Sequence, residues 1–520
     1  MTRQKSEDRD KPESRRKTVS TREDEPRAGG EAIPVDEALK QLLMFAGTAD
    51  TLATASERGG VDRSRERSAT RAVPKPVASE KKTTAATMDE VTKGLGEAFR
   101  KVERNRGAPG PDGKTLDVMR EHLEEWLPAL RSALLTGKYV PGEIRRVWIP
   151  KAGGGARGLG IPNVIDRVVQ ESVRQVLEPL YEPTFHESSH GFRPGRSCHT
   201  AIAAAVKHVD EGYEWVVDLD LEKFFDRVHH QRLMSKLAQR VEDKAVLVLI
   251  GRMLKAKVVL PDGVVVSSEE GVPQGGPLSP LLSNIVLDEL DRELEGRGHR
   301  FVRYADDCNV YVRSERAGQR VMASIKQFIE RRLRLKVNEQ KSAVARPEER
   351  HFVGFRLRRE PLDGEVEVML SRRSKGRIDD KIRQLVRRNF GNSLEACIRM
   401  LNAYLVGWVA FFGICTAESR TFQNLDAHIR RRLRAIQLRQ WKTKRTIARK
   451  LIALGIRRKT AWDRIYEGRK STWALSHTSV IDRALRNSHW DARGLFSIAH
   501  RWREMRANIG APVQLTLALG

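Results

Sequence analysis

Residues 301–312 read Phe-Val-Arg-Tyr-Ala-Asp-Asp-Cys-Asn-Val-Tyr-Val, and the rest of the chain is best interpreted outward from them. Apolar and polar residues alternate on both sides of Asp306 and Asp307, which predicts two short strands joined by a tight turn. Adjacent carboxylates at a hairpin tip repel each other unless a cation lies nearby, and Mg2+ prefers such oxygen ligands. A solvated Asp-Asp turn is the simpler interpretation of this short motif when it is taken alone.

A second acidic pair lies on a predicted strand upstream. Residues 215–221 (Trp-Val-Val-Asp-Leu-Asp-Leu) alternate with period two, which places Asp218 and Asp220 on one face. Acidic residues on an otherwise apolar strand are costly to bury unless they are paired or bind metal, and a solvated face is the alternative. Asp220, which precedes two phenylalanines, is the best third partner for Asp306 and Asp307. These elements fit three carboxylates on one side of an antiparallel sheet.

Three such carboxylates could hold two metal ions ~4 Å apart, the arrangement that serves nucleotidyl transfer. One ion would lower the pKa of a primer 3′-hydroxyl and direct it at the α-phosphorus, and the other would hold the triphosphate and the departing pyrophosphate. This chemistry needs no protein nucleophile, so the lack of a Ser-His-Asp or Cys-His pattern in the sequence does not weaken the interpretation.

The composition indicates a polyanionic partner. The 520 residues include 95 Lys and Arg against 68 Asp and Glu, a net charge of +27, which suits nucleic acid or an acidic membrane surface. The longest apolar run, residues 404–415, is interrupted by glycine and is shorter than the ~20 residues of a membrane-spanning helix. We therefore expect no membrane partner. The four cysteines form no C-x-x-C pair, which argues against a zinc site or a disulfide framework, and the charged N-terminus shows no signal peptide. A cytoplasmic location is the simplest expectation.

Three loops carry glycine and basic or polar residues. Lys151 and Arg157 flank a glycine loop that could wrap a triphosphate, although a flexible basic hairpin tip fits as well. Residues 191–197 include Arg193 next to an aromatic residue and could grip a nucleic acid backbone. In residues 271–280, Gln274 precedes two glycines that would let a substrate approach the backbone. A structural loop before a helix is the alternative for this last segment.

The two ends of the chain differ from its middle. Residues 1–86 have a composition typical of disorder, with one apolar patch at residues 38–45 that could form a short helix. Beyond residue 375 the pattern is that of basic helices with buried apolar stripes. So much like charge on a helix favours a polyanion close by, and a solvated basic face is the alternative. Four tail tryptophans among basic residues suggest RNA contacts by stacking: Trp462, Trp473, Trp490 and Trp502.

Three motifs in this order resemble the palm motifs of reverse transcriptases encoded by bacterial group II introns, also called intron maturases. They are residues 220–226 (Asp-Leu-Glu-Lys-Phe-Phe-Asp), 273–280 (Pro-Gln-Gly-Gly-Pro-Leu-Ser-Pro) and 304–307 (Tyr-Ala-Asp-Asp). The resemblance covers about residues 98–506. It implies an α+β right-hand polymerase. Its parts would be fingers and an antiparallel palm sheet (87–374), a helical thumb (375–415) and a basic, helical, domain X-like maturase region that binds RNA (416–520). The disordered charged extension (1–86) is not part of the usual family pattern.

The resemblance also implies roles for individual residues. Asp220, Asp306 and Asp307 would be catalytic and would ligate two Mg2+ ions. Phe225 would be a steric gate that excludes a ribose 2′-hydroxyl and so favours dNTPs, and residues 352–355 are similar to a primer-grip hairpin. The other residues expected at the dNTP are Lys151 and Arg157 from the fingers, Gln274 in the nucleotide pocket, and Lys341 near the leaving pyrophosphate. The residues expected to bind RNA are Arg193, Arg431, Arg432, Arg434 and Lys442.

The expected function is that of an RNA-directed DNA polymerase that also binds group II intron RNA to assist splicing and mobility. Its partners would be the intron RNA, an RNA template with a DNA primer, target DNA and dNTPs. Two departures from the family pattern are Gly158 in place of the proline that commonly follows the fingers arginine, and no cysteine-paired endonuclease before Gly520. Second-strand nicking in cis is therefore not expected. The alternatives are a non-catalytic RNA-binding splicing factor and a reverse transcriptase recruited to host defence.

Overall fold

A computed structural model describes residues 86–150, 155–267, 269–387, 391–468 and 470–507. The apolar patch at residues 38–45 and the predicted triphosphate ligand Lys151 lie outside the described residues. The helices are α1 (Met88–Arg104), α2 (Leu116–Glu121), α3 (Leu123–Leu135), α4 (Val164–Tyr181), α5 (Cys198–Asp210), α6 (His230–Ala238), α7 (Lys244–Leu254), α8 (Ser279–Gly296), α9 (Glu315–Phe328), α10 (Arg372–Leu385), α11 (Leu394–Phe412), α12 (Ser419–Gln440), α13 (Lys444–Ala453), α14 (Arg458–Tyr466), α15 (Thr472–Leu475), α16 (Ser479–Ala484), α17 (Asn487–Asp491) and α18 (Ile498–Ala507).

The strands of the described residues form three sheets. The strands are β1 (Ile144–Pro150), β2 (Ala156–Ile161), β3 (Trp215–Leu219), β4 (Val258–Val259), β5 (Val265–Val266), β6 (Arg300–Tyr304), β7 (Asp307–Val312), β8 (Ala343–Ala345), β9 (Phe355–Arg359) and β10 (Val366–Leu370). The fingers sheet has the order β2-β1-β4-β5, in which β1 and β4 are parallel. A four-stranded antiparallel palm sheet has the order β6-β7-β3-β8, and β9 pairs with β10 in a small separate sheet.

The palm sheet confirms the predicted hairpin and its neighbour. Strands β6 and β7 pair from Arg300↔Tyr311 to Tyr304↔Asp307, so Ala305 and Asp306 form the two-residue turn and Asp307 is the first residue of β7. Ala305 has φ +56°, the left-handed conformation that a two-residue hairpin turn demands. Strand β3 pairs with β7 and ends with Leu219↔Cys308. Asp220 therefore follows the last residue of β3, at the end of the sheet where the turn that carries Asp306 lies.

A hydrophobic core behind the palm sheet joins it to the C-terminal helices. It includes Ile202 from α5 and Val302 from β6, and it continues through α10, α11 and α12 to Trp490 and Trp502. We call this cluster the rear core. Trp490 is 0% exposed and Trp502 is 6% exposed, and their indole N–H groups donate to the carbonyls of Leu485 and Cys415. The prediction that these two tryptophans stack on RNA is therefore wrong, because both rings are core side chains.

Helix α11 corrects the expectation about membrane spans. By length and composition alone it is long and apolar enough to cross a bilayer, with 19 residues and a mean hydropathy of 1.3. The apolar segment begins at Leu394 rather than at residue 404, so the expected run was too short. Leu401 and Leu405 of this helix are fully buried in the rear core. A core helix passes the same hydropathy test, so this one helix is weak evidence for a membrane.

Candidate active site

A buried arginine holds the acidic turn in place. Arg303, on β6, is 0% exposed and its guanidinium makes two bonds to the Asp291 carboxylate, at 2.7 and 2.5 Å. The same group donates to Asn284 Oδ1 (3.0 Å), to Ser189 Oγ (2.7 Å) and to the Ala305 carbonyl (2.9 Å). The last bond reaches the turn that presents Asp306. The planar fork of arginine suits this pattern, since it can satisfy several acceptors in one plane.

Close backbone packing fixes the turn from the other side. A Cβ on Gly191 would overlap the Ala305 amide nitrogen and the Tyr304 carbonyl carbon, so only glycine fits there. The Gly191 carbonyl accepts a bond from Asn284 Nδ2 at 2.9 Å. The segment that carries Gly191 is thus tied to the same network as Arg303. We call Ser189, Asn284, Asp291 and Arg303 the turn-support network.

Asp220 is held by the segment that precedes β8. Its N–H donates to Ser342 Oγ (3.0 Å), and its carbonyl accepts from the Asn338 N–H (2.8 Å). Lys341 Nζ lies 3.7 Å from Asp220 Oδ2, so the structure brings these two predicted site residues together. Asp218, two residues earlier, pairs instead with Arg350 through contacts of 2.8 and 2.6 Å. The two acidic residues of this strand therefore have different partners.

The carboxylates of the turn have raised pKa values. Loss of hydration, and then the negative charges of Asp306, Asp218 and Asp220, raise the pKa of Asp307 to about 7. Asp307 lies at the surface beside these carboxylates, so their negative charges oppose its ionisation directly. Burial raises the pKa of Asp306, Asp220 adds to that shift, and Arg157 opposes it. The charge of Asp220 thus acts on both carboxylates of the turn, and the charge of Arg157 acts on Asp306.

Among the described residues, no three His, Cys, Asp or Glu side chains are placed closely enough to hold a metal ion as they stand. The chemistry of the site nevertheless fits divalent metal. Three carboxylates lie at one end of the sheet, where burial and then their mutual repulsion raise the pKa values of Asp306 and Asp307. A divalent cation would relieve that repulsion, and oxygen ligands suit Mg2+.

The fingers and the Gln274 loop meet at this site. Arg157 Nε donates to Gln274 Oε1 at 2.9 Å, and the Gln274 carbonyl accepts from the Gly160 N–H at 2.6 Å. Gly275 has φ +114° and lies against the Gly160 carbonyl, where a side chain would collide. Phe225 is 6% exposed, and its carbonyl accepts from the Val272 N–H at 2.6 Å. Four of the five residues predicted at the dNTP thus lie in this neighbourhood or beside Asp220, and Lys151 is outside the described residues.

Three of the arginines predicted to bind RNA have structural partners instead. Arg193 is 8% exposed; it pairs with Glu182 (2.8 Å) and donates to the carbonyls of His186 and Ser189. Arg434 is 6% exposed and pairs with Asp482. Arg432 donates to the Val386 carbonyl at 2.8 Å. These geometries correct the expectation for Arg193 and Arg434, because little of either side chain is accessible to RNA.

The other basic candidates lie closer to solvent. The Arg431 guanidinium stacks on Trp473, 4.0 Å from the ring centroid. These two side chains, both predicted to contact RNA, therefore contact each other. Lys442 is exposed in the turn after α12. Trp462 stacks on Tyr466 with ring centroids 5.5 Å apart, and Lys444 Nζ lies 5.4 Å from the centroid of the Tyr466 ring.

Sequence reasoning missed the turn-support network, Arg350 and Arg373. Arg373, at the start of α10, lowers the pKa of Asp307 and so lies near it. A signal for Asp291 was available, since it falls on the apolar stripe of α8 between Leu287 and Leu294. A charged residue on a buried stripe needs a partner. No signal in the sequence identifies Arg303 as that partner.

Comparisons with known proteins agree with the motifs. Residues 149–357 match the family model "Reverse transcriptase (RNA-dependent DNA polymerase)", and residues 375–452 match "Group II intron, maturase-specific domain". The second match spans both the predicted thumb and the start of the predicted maturase region. The chain is 34% identical to protein YkfC of Escherichia coli (strain K12) over 345 residues, which is 58% of this chain and 88% of YkfC.

Other relatives are matched over less of their length. The chain is 28% identical to the group II intron-encoded protein LtrA of Lactococcus lactis subsp. cremoris over 369 residues, which is 56% of this chain and 60% of LtrA. It is 36% identical to the putative COX1/OXI3 intron 2 protein of Saccharomyces cerevisiae over 202 residues, 38% of this chain and 23% of that protein. A solved "Partial Cas6-RT-Cas1--Cas2 complex" chain aligns at 24% identity with a TM-score of 0.32, over 47% of this chain and 42% of that one, which is too distant to support an argument.

Proposed function

Because this chain belongs to the reverse transcriptases, which are RNA-directed DNA polymerases, and carries a group II intron maturase-specific domain, we propose a specific reaction and partners for it. The chain extends a DNA primer along an RNA template with dNTPs, using Asp220, Asp306 and Asp307 with two Mg2+ ions. Its C-terminal region binds a group II intron RNA and assists splicing and mobility. The observation that carries the proposal is geometric: the register of the antiparallel palm sheet brings the end of β3, which Asp220 follows, to the same end of the sheet as the turn that carries Asp306 and Asp307.

The three carboxylates hold the metal ions in this proposal, and Arg373 reduces the repulsion at Asp307. When bound, the ions supply Lewis acidity to the primer 3′-hydroxyl and charge neutralisation at the triphosphate. In the transfer, the 3′-oxygen forms a bond to the α-phosphorus, the bond from that phosphorus to the pyrophosphate oxygen breaks, and the hydroxyl proton passes to solvent. Arg157 contacts the triphosphate from the fingers, and Lys341 neutralises charge on the leaving pyrophosphate.

Phe225 selects the sugar in this proposal. Its ring packs edge-on against Phe224 at 5.2 Å, and its backbone is bonded to Val272, so the side chain has little freedom to move aside. A rigid ring beside the sugar would collide with a 2′-hydroxyl. We expect Phe225→Val to raise incorporation of rNTPs relative to dNTPs by about 10²-fold or more, since close steric exclusion is worth several kcal/mol.

The test is primer extension on an RNA template. Reactions with dNTPs are compared with reactions with rNTPs, and each is run with Mg2+ and with Mg2+ withheld. We expect synthesis from dNTPs only, and only with the metal. Asp306→Ala should reduce synthesis to about 1% or less, because removing a metal ligand forfeits several kcal/mol of transition-state stabilisation. Its affinity for RNA should be nearly unchanged. Full-speed synthesis by Asp306→Ala would refute the site assignment.

Assistance of intron splicing is a second function, and the maturase-specific match at residues 375–452 favours it. In the alternative in which the chain is only a splicing factor, it would bind intron RNA and promote splicing but would not extend a primer. Splicing of a flanking intron RNA with wild-type and Asp306→Ala protein separates the two. Equal splicing by both proteins, with synthesis by the wild type alone, supports a chain that carries both functions.

A further inference from the structure

The Asp218–Arg350 ion pair has no place in the reaction described so far. Asp218 lies on β3, two residues before Asp220, and its register partners are Asn309 on β7 and Ala343 on β8. Arg350 follows the short helical turn Pro347–Glu349 and donates to Asp218 Oδ2 through Nε (2.8 Å) and Nη2 (2.6 Å). A pair made by two guanidinium nitrogens restricts orientation more than a single contact does.

Arg350 also holds the main chain of Lys341. Its Nη2 donates to the Lys341 carbonyl at 2.6 Å, so one guanidinium bridges the Asp218 carboxylate and the residue whose ammonium lies 3.7 Å from Asp220. Lys341 itself is an exposed side chain with several rotatable bonds. Its direction therefore depends on where its backbone is anchored, and Arg350 supplies an anchor within one residue of the Asp220 contact with Ser342.

We propose that the Asp218–Arg350 pair is a positioning device that fixes the Lys341 main chain, so that the Lys341 ammonium reaches the leaving pyrophosphate. The inference rests on the proposed function, because it assigns Lys341 the role given there. Arg350 and Asp218 touch no substrate in this scheme; they act through Lys341. The simpler account is that Arg350 only neutralises a half-buried carboxylate next to the metal ligands. That account requires Arg350 to act independently of Lys341.

A double-mutant cycle separates these accounts, because residues that act through one another are not additive. The measurement is the rate of single-nucleotide incorporation under single-turnover conditions, with the dNTP concentration for half-maximal rate. Lys341→Met should lower the maximal rate by about 10²-fold, the scale of a positioned acid or charge. Arg350→Met should lower it by about tenfold in the wild-type chain and by less than about twofold in the Lys341→Met chain. Half-maximal dNTP concentrations should change little.

A matched control residue follows the same strand, β8, that Lys341 precedes. Arg346, four residues before Arg350, pairs with Glu214 (2.5 Å) and stacks on Trp215 at the other end of β3, away from Lys341. Arg346→Met should leave the maximal rate within about threefold and show no coupling to Lys341→Met. If Arg350→Met fails to fold by its melting curve, the Asp218→Asn/Arg350→Gln chain replaces it. That double variant removes both charges while each residue keeps hydrogen-bonding groups.

The outcomes divide cleanly. Loss of the Arg350 effect in the Lys341→Met background supports the proposal. An equal loss in both backgrounds overturns it and leaves Arg350 with a neutralising role only. No loss from Arg350→Met, or none from Lys341→Met, also overturns it, while the polymerase assignment stands as long as Asp306→Ala is inactive. Activity of Asp306→Ala would instead defeat the proposed function.

Discussion

Replacing Asp291 with asparagine should destabilise the protein strongly, although the two side chains have the same size. The carboxylate is 0% exposed and accepts two bonds from Arg303, which is also 0% exposed. Burial lowers the pKa of Arg303 and the Asp291 charge raises it, so neutralising Asp291 removes the effect that favours the charged guanidinium. Arginine nevertheless stays protonated in proteins, so the Asp291→Asn variant is left with a buried charge that has no counterion. An uncompensated buried charge costs about 3–5 kcal/mol.

The size of this effect can be checked by melting. At about 2–4 °C per kcal/mol for a domain of 150–250 residues, the loss corresponds to a decrease in Tm of roughly 6–20 °C. Asp291→Leu/Arg303→Met removes both charges. We expect this double variant to be more stable than Asp291→Asn, because replacing a buried pair with apolar residues is often neutral or stabilising. Arg292→Leu is the control, since Arg292 forms an exposed pair with Asp288.

Activity and stability should separate in the double variant. Without Arg303 the Ala305 carbonyl loses the donor that reaches it at 2.9 Å, so the turn carrying Asp306 loses a support. A displacement of about 1 Å at a catalytic group costs about 10²-fold in rate. We therefore expect a stable double variant with at most a few per cent of the wild-type rate. Equal stability of Asp291→Asn and wild type, or full activity of the stable double variant, would refute this account of the turn-support network.

Three further predictions concern other parts of the molecule. Gly191→Ala should lower primer extension by about 10²-fold, since its Cβ would overlap the Ala305 amide, whereas Gly251→Ala, with open space around it, should be neutral in the same assay. The pKa of Asp307 is raised to about 7 in the folded protein, against about 4 in the unfolded chain. Ionising Asp307 therefore lowers the stability of the metal-free folded state. This loss begins as the pH rises above about 4 and is complete above about pH 7. In EDTA, Asp307→Asn should therefore gain Tm over wild type at pH 8 but not at pH 4, and an equal gain at both would contradict the shift. Arg434→Met should lower Tm by breaking the pair with Asp482, while Lys442→Ala should leave Tm unchanged and reduce the salt dependence of RNA binding by about one counterion; the reverse pattern would return Arg434 to the RNA surface.

Local patterns in the sequence were sufficient to find the palm. Alternation around Asp306 and in residues 215–221 located β6, β7 and β3, because a period of two is a property of each strand alone. The charged residues were harder. Arg193 was predicted to bind RNA because it lies in a basic loop next to an aromatic residue, and Arg434 because it lies among other basic residues. Their partners Glu182 and Asp482 are fixed by tertiary packing. The sequence around an arginine does not record which carboxylate the fold brings to it.

Tryptophan shows the same limit. Trp490 and Trp502 have basic neighbours along the chain, yet both side chains are buried in the rear core. The residues that bury them are distant in the sequence. The charge composition of a chain indicates which class of partner its surface binds, whereas the burial of one side chain depends on contacts between distant segments. The register of β1 with β4, a parallel pairing of strands more than a hundred residues apart, was beyond local reasoning for the same reason.

The rear core has a practical consequence for anyone who wishes to dissect the chain. Helix α5 and strand β6 of the polymerase belong to one apolar cluster that continues through α10, α11 and α12 to Trp502. A truncation near residue 415 would remove α12 and expose buried side chains of α11 such as Trp408, whose ring packs against Phe422, and the fragment would be expected to aggregate rather than yield a minimal enzyme. Copying and RNA recognition should therefore be uncoupled by single side-chain replacements on the outer surface, with the scaffold left whole.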